Sequence, residues 1–454
     1  MISRLFARVR RLQRLTLLAS IALMGACAGP AVDGAARQPQ ATRELPVYVG
    51  RPAATWRITV ADFESQQELS GLAAIVPKPA TPRVPASRVS ASVSGKDGAR
   101  DALTLHWQDA WYASLRLEGG PTMDLRPFLA DGTLEFDLDV IDMAQGGVGF
   151  KLICGPGCER KVNHLLPARA MAGKGWQHLS FAMRCFVRDG DDFSRVTQPF
   201  VLEGSGSGEV AVANVRYVRH GKANASCPDY KTESVTPGIL AQSWAMSWWL
   251  PRHAQKLQHV RQQREAGRNI DLVFIGDSIT EGWEREGQPV WDRHYKQHNA
   301  LALGFGGDHT ENVLWRLQHG EIDGMSPKVA VLMIGTNNTG DRQEDPATTA
   351  AGIRRNIDEI RQRLPATKIL LLAIFPRDEK PNGALRQIND HINDRIKSFA
   401  DDKQVFFLNI NAAFTNPDGT LSKDVMPDLL HLSEKGYDIW ARSMAPTLAK
   451  LLAP

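Results

Sequence analysis

Five residues in the C-terminal part of the chain carry the groups that acyl transfer requires. Ser278 supplies a hydroxyl, and Asp428 and His431 supply a carboxylate and an imidazole close together in sequence. A serine hydroxyl is a poor nucleophile until an imidazole accepts its proton, and a carboxylate orients that imidazole. The backbone N–H groups of Ser278 and Gly307 and the side-chain amide of Asn337 suit an oxyanion hole. These residue types predict a Ser-His-Asp triad with three oxyanion donors.

The candidate residues come after apolar segments of the kind that form buried strands. Five such segments alternate with amphipathic helical patterns: DLVFIG (271–276), ALALGF (300–305), VAVLMIG (329–335), KILLLAIF (368–375) and QVFFLNI (404–410). Nearly continuous apolar strands separated by helices predict a parallel sheet covered on both faces. Because such sheets bind ligands at the carboxyl ends of their strands, we expect the candidate residues to meet at one edge.

Several residues near these strand ends have a structural alternative. Ser278 alone fits a helix N-cap equally well, since serine after a strand commonly begins a helix. Asp277 suits the same capping role, and we expect it to be structural rather than the acid of the triad. Asp308 and Glu311 resemble a capping box that directs the preceding amide toward the site. A dinucleotide fingerprint is incomplete here, because His309 occupies the place of its third glycine.

Four blocks resemble the SGNH (GDSL) hydrolase superfamily, above all the α-subunits of platelet-activating-factor acetylhydrolase and their bacterial relatives. The blocks are GDSITEGW, GFGGDHTENVLWRLQHGEID, PKVAVLMIGTNN and DLLHLSEKGY, and the resemblance runs from about residue 248 to the C-terminus. It implies a doubly wound, flavodoxin-like α/β fold without a metal or an organic cofactor. It also implies a nucleophile, oxyanion donors, an acid and a base, which fall on Ser278, Gly307, Asn337, Asp428 and His431.

Residues 46–230 have a different pattern, in which short alternating segments are separated by Gly, Pro and Asp. Examples are TLEFDLDV (133–140) and EVAVANVRYV (209–218). Period-two strands with frequent turn signals predict a β-sandwich. Three tryptophans in this region suit sugar stacking, although a sandwich tryptophan more commonly belongs to the core; they are Trp107, Trp111 and Trp176.

The same region resembles the C-terminal galactose-binding-like module of certain bacterial β-glucosidases. The likeness rests on DLRPFLADGTLEFDLDV, CGPGC, GKGWQHLSFAMRCF and VTQPFVLEGSGSGEVAVANVRYV, within residues 102–218. It implies a jelly-roll sandwich and a glycan context. Residues 231–268 are expected to form a linker with a helix, which joins the sandwich to a hydrolase domain at 269–454.

Four cysteines follow the N-terminal segment, and an even number in an exported chain favours disulfides. Cys154 and Cys158 are expected to form a loop staple rather than half of a zinc site, because no second cysteine pair or ordered histidine pair completes it. Cys185 with Cys227 is then the expected second bridge. We predict no metal site.

Residues 1–27 resemble the signal peptide of a bacterial lipoprotein. Five arginines precede an apolar stretch, Leu15–Met24, that is about half of the ~20 residues of a membrane-spanning helix. The sequence MGAC resembles a lipobox, which implies lipidation of Cys27 and a tether over residues 28–45. The alternative is an ordinary secreted protein whose Cys27 lies in a discarded peptide. Ala28 and Gly29, rather than Asp, follow Cys27. For a Gram-negative lipoprotein this implies the outer membrane, facing the periplasm or the cell surface.

These observations predict an exported serine esterase that removes small acyl groups, chiefly acetyl, from carbohydrate esters. One alternative keeps the chemistry but acts on phospholipid, lysophospholipid or another lipid ester; the sequence has no long apolar lid segment, which disfavours long acyl chains. Another is a glycan-binding lipoprotein whose hydrolase domain is inactive. A net charge of +4 over 454 residues, without a basic stripe interleaved with aromatics, gives no support for nucleic-acid binding. The oligomeric state stays open.

Overall fold

The computed structural model describes residues 43–62, 65–78, 87–98, 100–143, 146–155 and 158–453. The predicted signal peptide, Cys27 and nearly all of the predicted tether lie outside the described residues. Within the described ranges, no helix is both long enough and apolar enough to cross a membrane.

The N-terminal domain is an antiparallel sheet of eleven strands, in agreement with the predicted all-β architecture. Its strands are β1 (Glu44–Tyr48), β2 (Arg57–Ala61), β3 (Gln66–Glu68), β4 (Ala73–Lys78), β5 (Ser87–Ser94), β6 (Ala102–Glu118), β7 (Thr133–Asp142), β8 (Gly147–Gly155), β9 (Cys158–Asn163), β10 (Gln177–Ala182) and β11 (Gln198–Val218). A short helix, α1 (Leu165–Met171), lies between β9 and β10.

Two long strands make the layers of this domain one continuous sheet. The first half of β11 pairs with β8 and its second half pairs with β7, while β6 accompanies both halves. The pairing register shifts around Gly206, as expected where a bulge bends a strand. Trp107 packs against this bend, is fully buried, and donates its indole N–H to the Ser205 carbonyl at 2.9 Å. Trp107 is therefore a core residue and not a sugar platform.

The four cysteines of this domain form two disulfides. Cys154 is bonded to Cys158 between the ends of β8 and β9. Cys185 is bonded to Cys227, which ties the turn after β10 to the segment after β11. Trp176 is half-buried, and the side chain of Trp111 lies outside the described part of the chain.

The C-terminal domain is a parallel five-stranded sheet covered by helices, which confirms the predicted doubly wound α/β fold. The strands are β12 (Leu272–Gly276), β13 (Leu301–Gly304), β14 (Val329–Met333), β15 (Lys368–Leu372) and β16 (Val405–Leu408). The helices are α2 (Trp249–Glu265), α3 (Ser278–Glu281), α4 (Gln288–His294), α5 (Thr310–Gln318), α6 (Thr336–Arg342), α7 (Pro346–Arg363), α8 (Ala384–Ile396) and α9 (Glu434–Leu452).

The strand order β13-β12-β14-β15-β16 places β12 between the two strands that follow it in sequence. Side chains alternate along a strand, so Phe274 packs with Trp440 of α9 on one face of the sheet, and Ile275 packs with Ile357 of α7 on the other. The direction in which successive strands are added to the sheet reverses beside β12, and the crevice at such a switch point is where open α/β sheets bind ligands. Ser278 and Asn337 lie at the two sides of this crevice, because they follow β12 and β14.

The predicted linker region contributes to the C-terminal domain before α2 begins. Leu240 and Ala245 are buried together with Trp249 and Phe305 in a small apolar cluster. Ser234 is also buried, and its hydroxyl donates to Glu344 at 2.6 Å. This segment is therefore packed on the C-terminal domain through specific contacts.

Candidate active site

The nucleophile candidate begins a helix but does not cap it. Ser278 is the first residue of α3, and the cap is Asp277, whose carboxylate accepts a hydrogen bond from the Ile279 N–H at 3.0 Å. Asp277 is fully buried, and burial raises its pKa to about 6. The expected structural role of Asp277 agrees with this geometry, and the Ser278 hydroxyl is left available for chemistry.

Ser278, His431 and Asp428 come together in a hydrogen-bonded row. The Ser278 Oγ lies 2.9 Å from His431 Nε2, and His431 Nδ1 lies 2.7 Å from Asp428 Oδ2. The other Asp428 oxygen accepts hydrogen bonds from the backbone N–H groups of His431, at 2.7 Å, and Leu430, at 3.1 Å. With the Nδ1 proton donated to Asp428, Nε2 can accept the proton of the serine hydroxyl.

A strained turn brings the carboxylate back to the imidazole. Leu429, which lies between them in sequence, has a φ of +62°, in the left-handed region that non-glycine residues rarely adopt. Burial alone raises the pKa of Asp428, but the hydrogen bonds from the His431 side chain and backbone outweigh burial and hold that pKa below its usual range. Asp428 is therefore ionised at neutral pH. The His431 side chain is 44% exposed, so a substrate can reach the imidazole.

The two remaining candidates lie at the ends of the strands that flank β12. Gly307 has a φ of +77°, which favours glycine, and it precedes α5. The Asn337 side-chain amide donates to the Asp308 carbonyl at 2.9 Å, which ties the start of α6 to the loop that carries Gly307. The Gly306 N–H donates to the Glu281 carboxylate at 2.6 Å and ties the same loop to α3. The three candidate oxyanion donors thus belong to segments that are bonded to one another.

Arg316 connects the Gly307 loop to β12, the strand that precedes the candidate nucleophile. Its fully buried guanidinium donates from Nε to Asp308 at 2.8 Å and from Nη2 to the Gly276 carbonyl at 3.1 Å, and its Nη1 pairs with Glu321. The second Asp308 oxygen accepts the indole N–H of Trp249 at 2.6 Å. Burial raises the pKa of Asp308 to about 7, and the charge of Arg316 opposes that rise.

The predicted capping box of Asp308 and Glu311 is wrong. The N-cap of α5 is His309, which forms the reciprocal capping box with Asn312. The helix begins one residue later than that prediction requires, because the Asp308 carboxylate is held by the buried guanidinium. Glu311 pairs with an arginine of α6 at 2.6 Å.

Asn338 is a structural neighbour of the candidate oxyanion amide. Its side chain is fully buried, accepts the Thr310 N–H at 3.1 Å, and donates to the Ser234 hydroxyl at 3.1 Å. It therefore joins α6 to the start of α5 and to the segment before α2.

A cavity of about 740 Å³ lies beside Ser278 and His431. This volume is within the range of small-molecule sites. Asp428 also lines it, and so do three further charged residues: Arg285, Glu286 and Glu434.

Among the described residues, one cluster has the spacing of a metal site, and it lies in the sandwich. It consists of Cys154, Cys158 and Asp191, and both cysteines belong to a disulfide. That disulfide withdraws the two thiolates that a zinc ion would require.

Two residues of this region were not identified from the sequence. Arg316 lies in a helix with polar residues, where an arginine is normally solvated; its acidic neighbours Asp308 and Glu321 were the available signal. Trp244 lies in the segment before α2 and contacts the Gly307 loop: a Cβ atom added to Gly307 would collide with the indole ring. The cluster of tryptophans in WAMSWW (244–249) was the signal there.

Two family models match the chain. Residues 274–439 match the GDSL-like lipase/acylhydrolase family, and residues 56–217 match the galactose-binding domain-like family. The chain is 35% identical over 184 residues to the human platelet-activating factor acetylhydrolase IB subunit alpha1, a match that covers 40% of this chain and 77% of that protein.

Two further proteins are similar to the C-terminal domain. The Rattus norvegicus platelet-activating factor acetylhydrolase IB subunit alpha2 is 37% identical over 183 residues, with 40% of this chain and 77% of the relative covered. The solved structure of an acetylxylan esterase from Geobacillus stearothermophilus is 21% identical, with a TM-score of 0.33, and covers 40% of this chain and 94% of that chain.

We predict that Arg316→Met lowers the free energy of unfolding of the C-terminal domain by about 3–5 kcal/mol, because it leaves two acidic groups buried without their cation. The matched control is Arg363→Met, since Arg363 pairs with Glu359 at 2.6 Å but is 26% exposed; its cost is about 1 kcal/mol or less. Urea denaturation followed by tryptophan fluorescence measures both. Equal, small losses of unfolding free energy in the two variants would contradict the assigned role of Arg316.

We predict that Asp428→Asn lowers kcat for p-nitrophenyl acetate on the order of 10²–10⁴-fold. An amide N–H directed at His431 Nδ1 favours the tautomer that carries its proton on Nε2, which cannot accept the serine proton. Asp424→Asn, in the same loop, serves as the control and is expected to retain activity. A full-rate Asp428→Asn enzyme with an unchanged circular dichroism spectrum would exclude Asp428 as the triad acid.

Proposed function

Because the chain belongs to the GDSL-like lipase/acylhydrolase family, whose members act on esters, we propose that it removes small acyl groups, chiefly acetyl, from carbohydrate esters. The observation that carries the esterase chemistry is the 2.9 Å contact between Ser278 Oγ and His431 Nε2. The second family match, to the galactose-binding domain-like family, supports a carbohydrate as the acyl-bearing molecule.

In the first step, Ser278 Oγ attacks the ester carbonyl carbon while His431 Nε2 accepts the hydroxyl proton. The carbonyl π electrons move to oxygen, and the resulting oxyanion is stabilised by the N–H groups of Ser278 and Gly307 and by the Asn337 amide. The ionised Asp428 stabilises the imidazolium through the 2.7 Å contact with Nδ1.

In the second step, the oxyanion collapses and the C–O bond to the sugar breaks. The departing sugar oxygen takes the proton from His431, and the acyl group stays on Ser278 Oγ. Water then attacks the acyl carbon as His431 accepts a proton from it, and a second collapse releases the carboxylic acid and restores the serine hydroxyl.

Two observations support a small acyl group. The relatives that share 35% and 37% identity with this chain are named acetylhydrolases. The cavity beside the nucleophile has charged side chains in its wall, which would be costly to desolvate against a long hydrocarbon chain.

The second candidate substrate is platelet-activating factor itself, because both curated relatives carry its name. The same triad would cleave its ester by the steps above. The two candidates differ in what is attached to the alcohol oxygen, so substrate comparison separates them.

We further propose that the chain is exported and anchored to the outer membrane through lipidated Cys27. The support is the sequence of residues 1–27, with its arginines, its short apolar stretch and its lipobox-like MGAC. The anchor would hold the enzyme at the membrane, and residues 28–45 would act as the tether.

We predict that the full chain releases acetate from acetylated xylan with a kcat/KM at least about tenfold above that for p-nitrophenyl decanoate, since charged cavity walls disfavour a long acyl chain. Acetate release is measured with an enzymatic acetate assay, and hydrolysis of the decanoate is measured colorimetrically. The Ser278→Ala variant gives the background rate in both assays. Platelet-activating factor is the third substrate. Preferred hydrolysis of the decanoate or of platelet-activating factor would overturn the carbohydrate assignment, and turnover equal to that of Ser278→Ala would overturn the esterase.

A further inference from the structure

The segment before α2 places an exposed tryptophan against the candidate oxyanion loop. Trp244 lies on the single turn Ser243–Ala245, and its side chain is 46% exposed. Its ring occupies the space that a side chain at Gly307 would fill. The second tryptophan of the segment, Trp248, lies beside Gly306, with 3.6 Å between its ring and the position of a Cβ atom at that glycine. Two indoles therefore border the loop.

The position of Trp244 is determined by its neighbours. The Trp248 indole N–H donates to the Trp244 carbonyl at 3.0 Å, and the two rings lie 5.9 Å apart. Beneath them, Leu240, Ala245 and Trp249 are buried against Phe305. An exposed indole on such a packed base is a preformed surface, which a ligand can use at a low entropic cost.

The location of Trp244 puts it within reach of the substrate. The carbonyl oxygen of a reacting ester must come to about 2.7–3.1 Å from the oxyanion donors. Gly307 is one of these donors, and Trp244 is in van der Waals contact with that same residue. A substrate larger than the ester group itself therefore passes close to the indole.

The turn that carries Trp244 packs beside two strands of the sandwich, β8 and β11. These strands and their neighbours carry a buried polar group: Glu203 pairs with Lys151 at 2.5 Å and with Lys161 at 3.1 Å, and it accepts the Tyr112 hydroxyl at 3.0 Å.

The charge of Lys161 also reaches the hydrolase domain. Burial raises the pKa of Asp341 on α6, but the hydrogen bond with His309 and the charges of His309 and Lys161 outweigh it and lower that pKa. The sandwich face with Lys161 is thus within electrostatic range of the helix that carries Asn337. An aromatic ring on a turn beside strands that carry lysine and carboxylate groups suits a ligand that has both C–H faces and hydroxyl groups.

We propose that Trp244 is a carbohydrate-stacking residue of the active site, whose exposed indole packs on the sugar that carries the ester. The flat apolar ring matches the C–H face of a pyranose, and the polar groups of the adjoining strands match its hydroxyls. This inference rests on the proposed function and extends it, because it assigns the sugar specificity to the segment between the two domains. The competing possibility is that a long acyl chain, and not a sugar, occupies the space beside the indole.

The test compares the full chain with Trp244→Ala and Trp244→Phe on an acetylated xylo-oligosaccharide, p-nitrophenyl acetate and p-nitrophenyl decanoate. Leu250→Ala, which trims another exposed side chain nearby, at the start of α2, is the matched control. We expect Trp244→Ala to lower kcat/KM for the oligosaccharide about tenfold or more, mainly through KM, and to change the value for p-nitrophenyl acetate less than about twofold. Trp244→Phe should recover most of the loss, and Leu250→Ala should match the wild type.

Three kinetic outcomes would overturn the proposal. Equal losses on the oligosaccharide and on p-nitrophenyl acetate would mean that Trp244 only supports Gly307. A selective loss on the decanoate would mean that the indole contacts an acyl chain. Unchanged kinetics on all three substrates would mean that no substrate reaches it.

A binding measurement separates this inference from the proposed function. Calorimetric titration of xylo-oligosaccharide into Ser278→Ala and into Ser278→Ala/Trp244→Ala reads the stacking contact without catalysis. Binding that depends on Trp244 in an enzyme that releases no acetate would uphold the inference and reject the proposed substrate. Acetate release together with binding that is independent of Trp244 would uphold the proposed substrate and reject the inference. If there were neither acetate release nor binding that depends on Trp244, both the proposed substrate and the inference would be rejected.

Discussion

One buried guanidinium organises the edge of the sheet that carries the candidate active site. Arg316 donates to the Gly276 carbonyl, just before the turn of the candidate nucleophile, and to the Asp308 carboxylate, just after the candidate oxyanion glycine. These two strand ends are neighbours in the sheet, but each continues into a loop. Without a common partner, the two loops would be free to shift relative to each other by fractions of an ångström. Because acyl transfer depends on donors placed at about 2.7–3.1 Å from the oxyanion, a shared rigid partner for both loops has a direct chemical consequence.

The charges of this cluster have to balance one another, because the cluster is buried away from water. Arg316 is fully buried between Asp308 and Glu321, and such a cluster stabilises a fold only when its members are all present. Trp249 satisfies the second oxygen of Asp308, so α2 is tied to the same cluster. The segment that precedes the hydrolase sheet is thereby linked to the loop that carries Gly307. This link also explains how Trp244 comes to border the site.

The sheet, its helices and the candidate triad could be predicted from the sequence, since strand and helix periodicities are set by burial and each candidate residue follows an apolar strand. The start of α5 could not, because the Asp308 carboxylate serves a buried arginine rather than the helix cap. Trp244 was missed because irregular segments carry no periodic signal. The predicted strand EVAVANVRYV (209–218) is shorter than β11, since the glycines around Gly206 resemble a turn but form a bulged bend.

The central claim is that Ser278 Oγ, activated by His431, is the nucleophile, and covalent trapping tests it most directly. Incubation of the full chain with diethyl p-nitrophenyl phosphate should form a bond between a nucleophilic oxygen and phosphorus, with p-nitrophenolate as the leaving group. We predict one diethylphosphoryl group per chain, located on Ser278 by peptide mass spectrometry, with loss of esterase activity in proportion to labelling. Complete inactivation with the phosphoryl group on another residue, or full activity after Ser278 is labelled, would contradict the account.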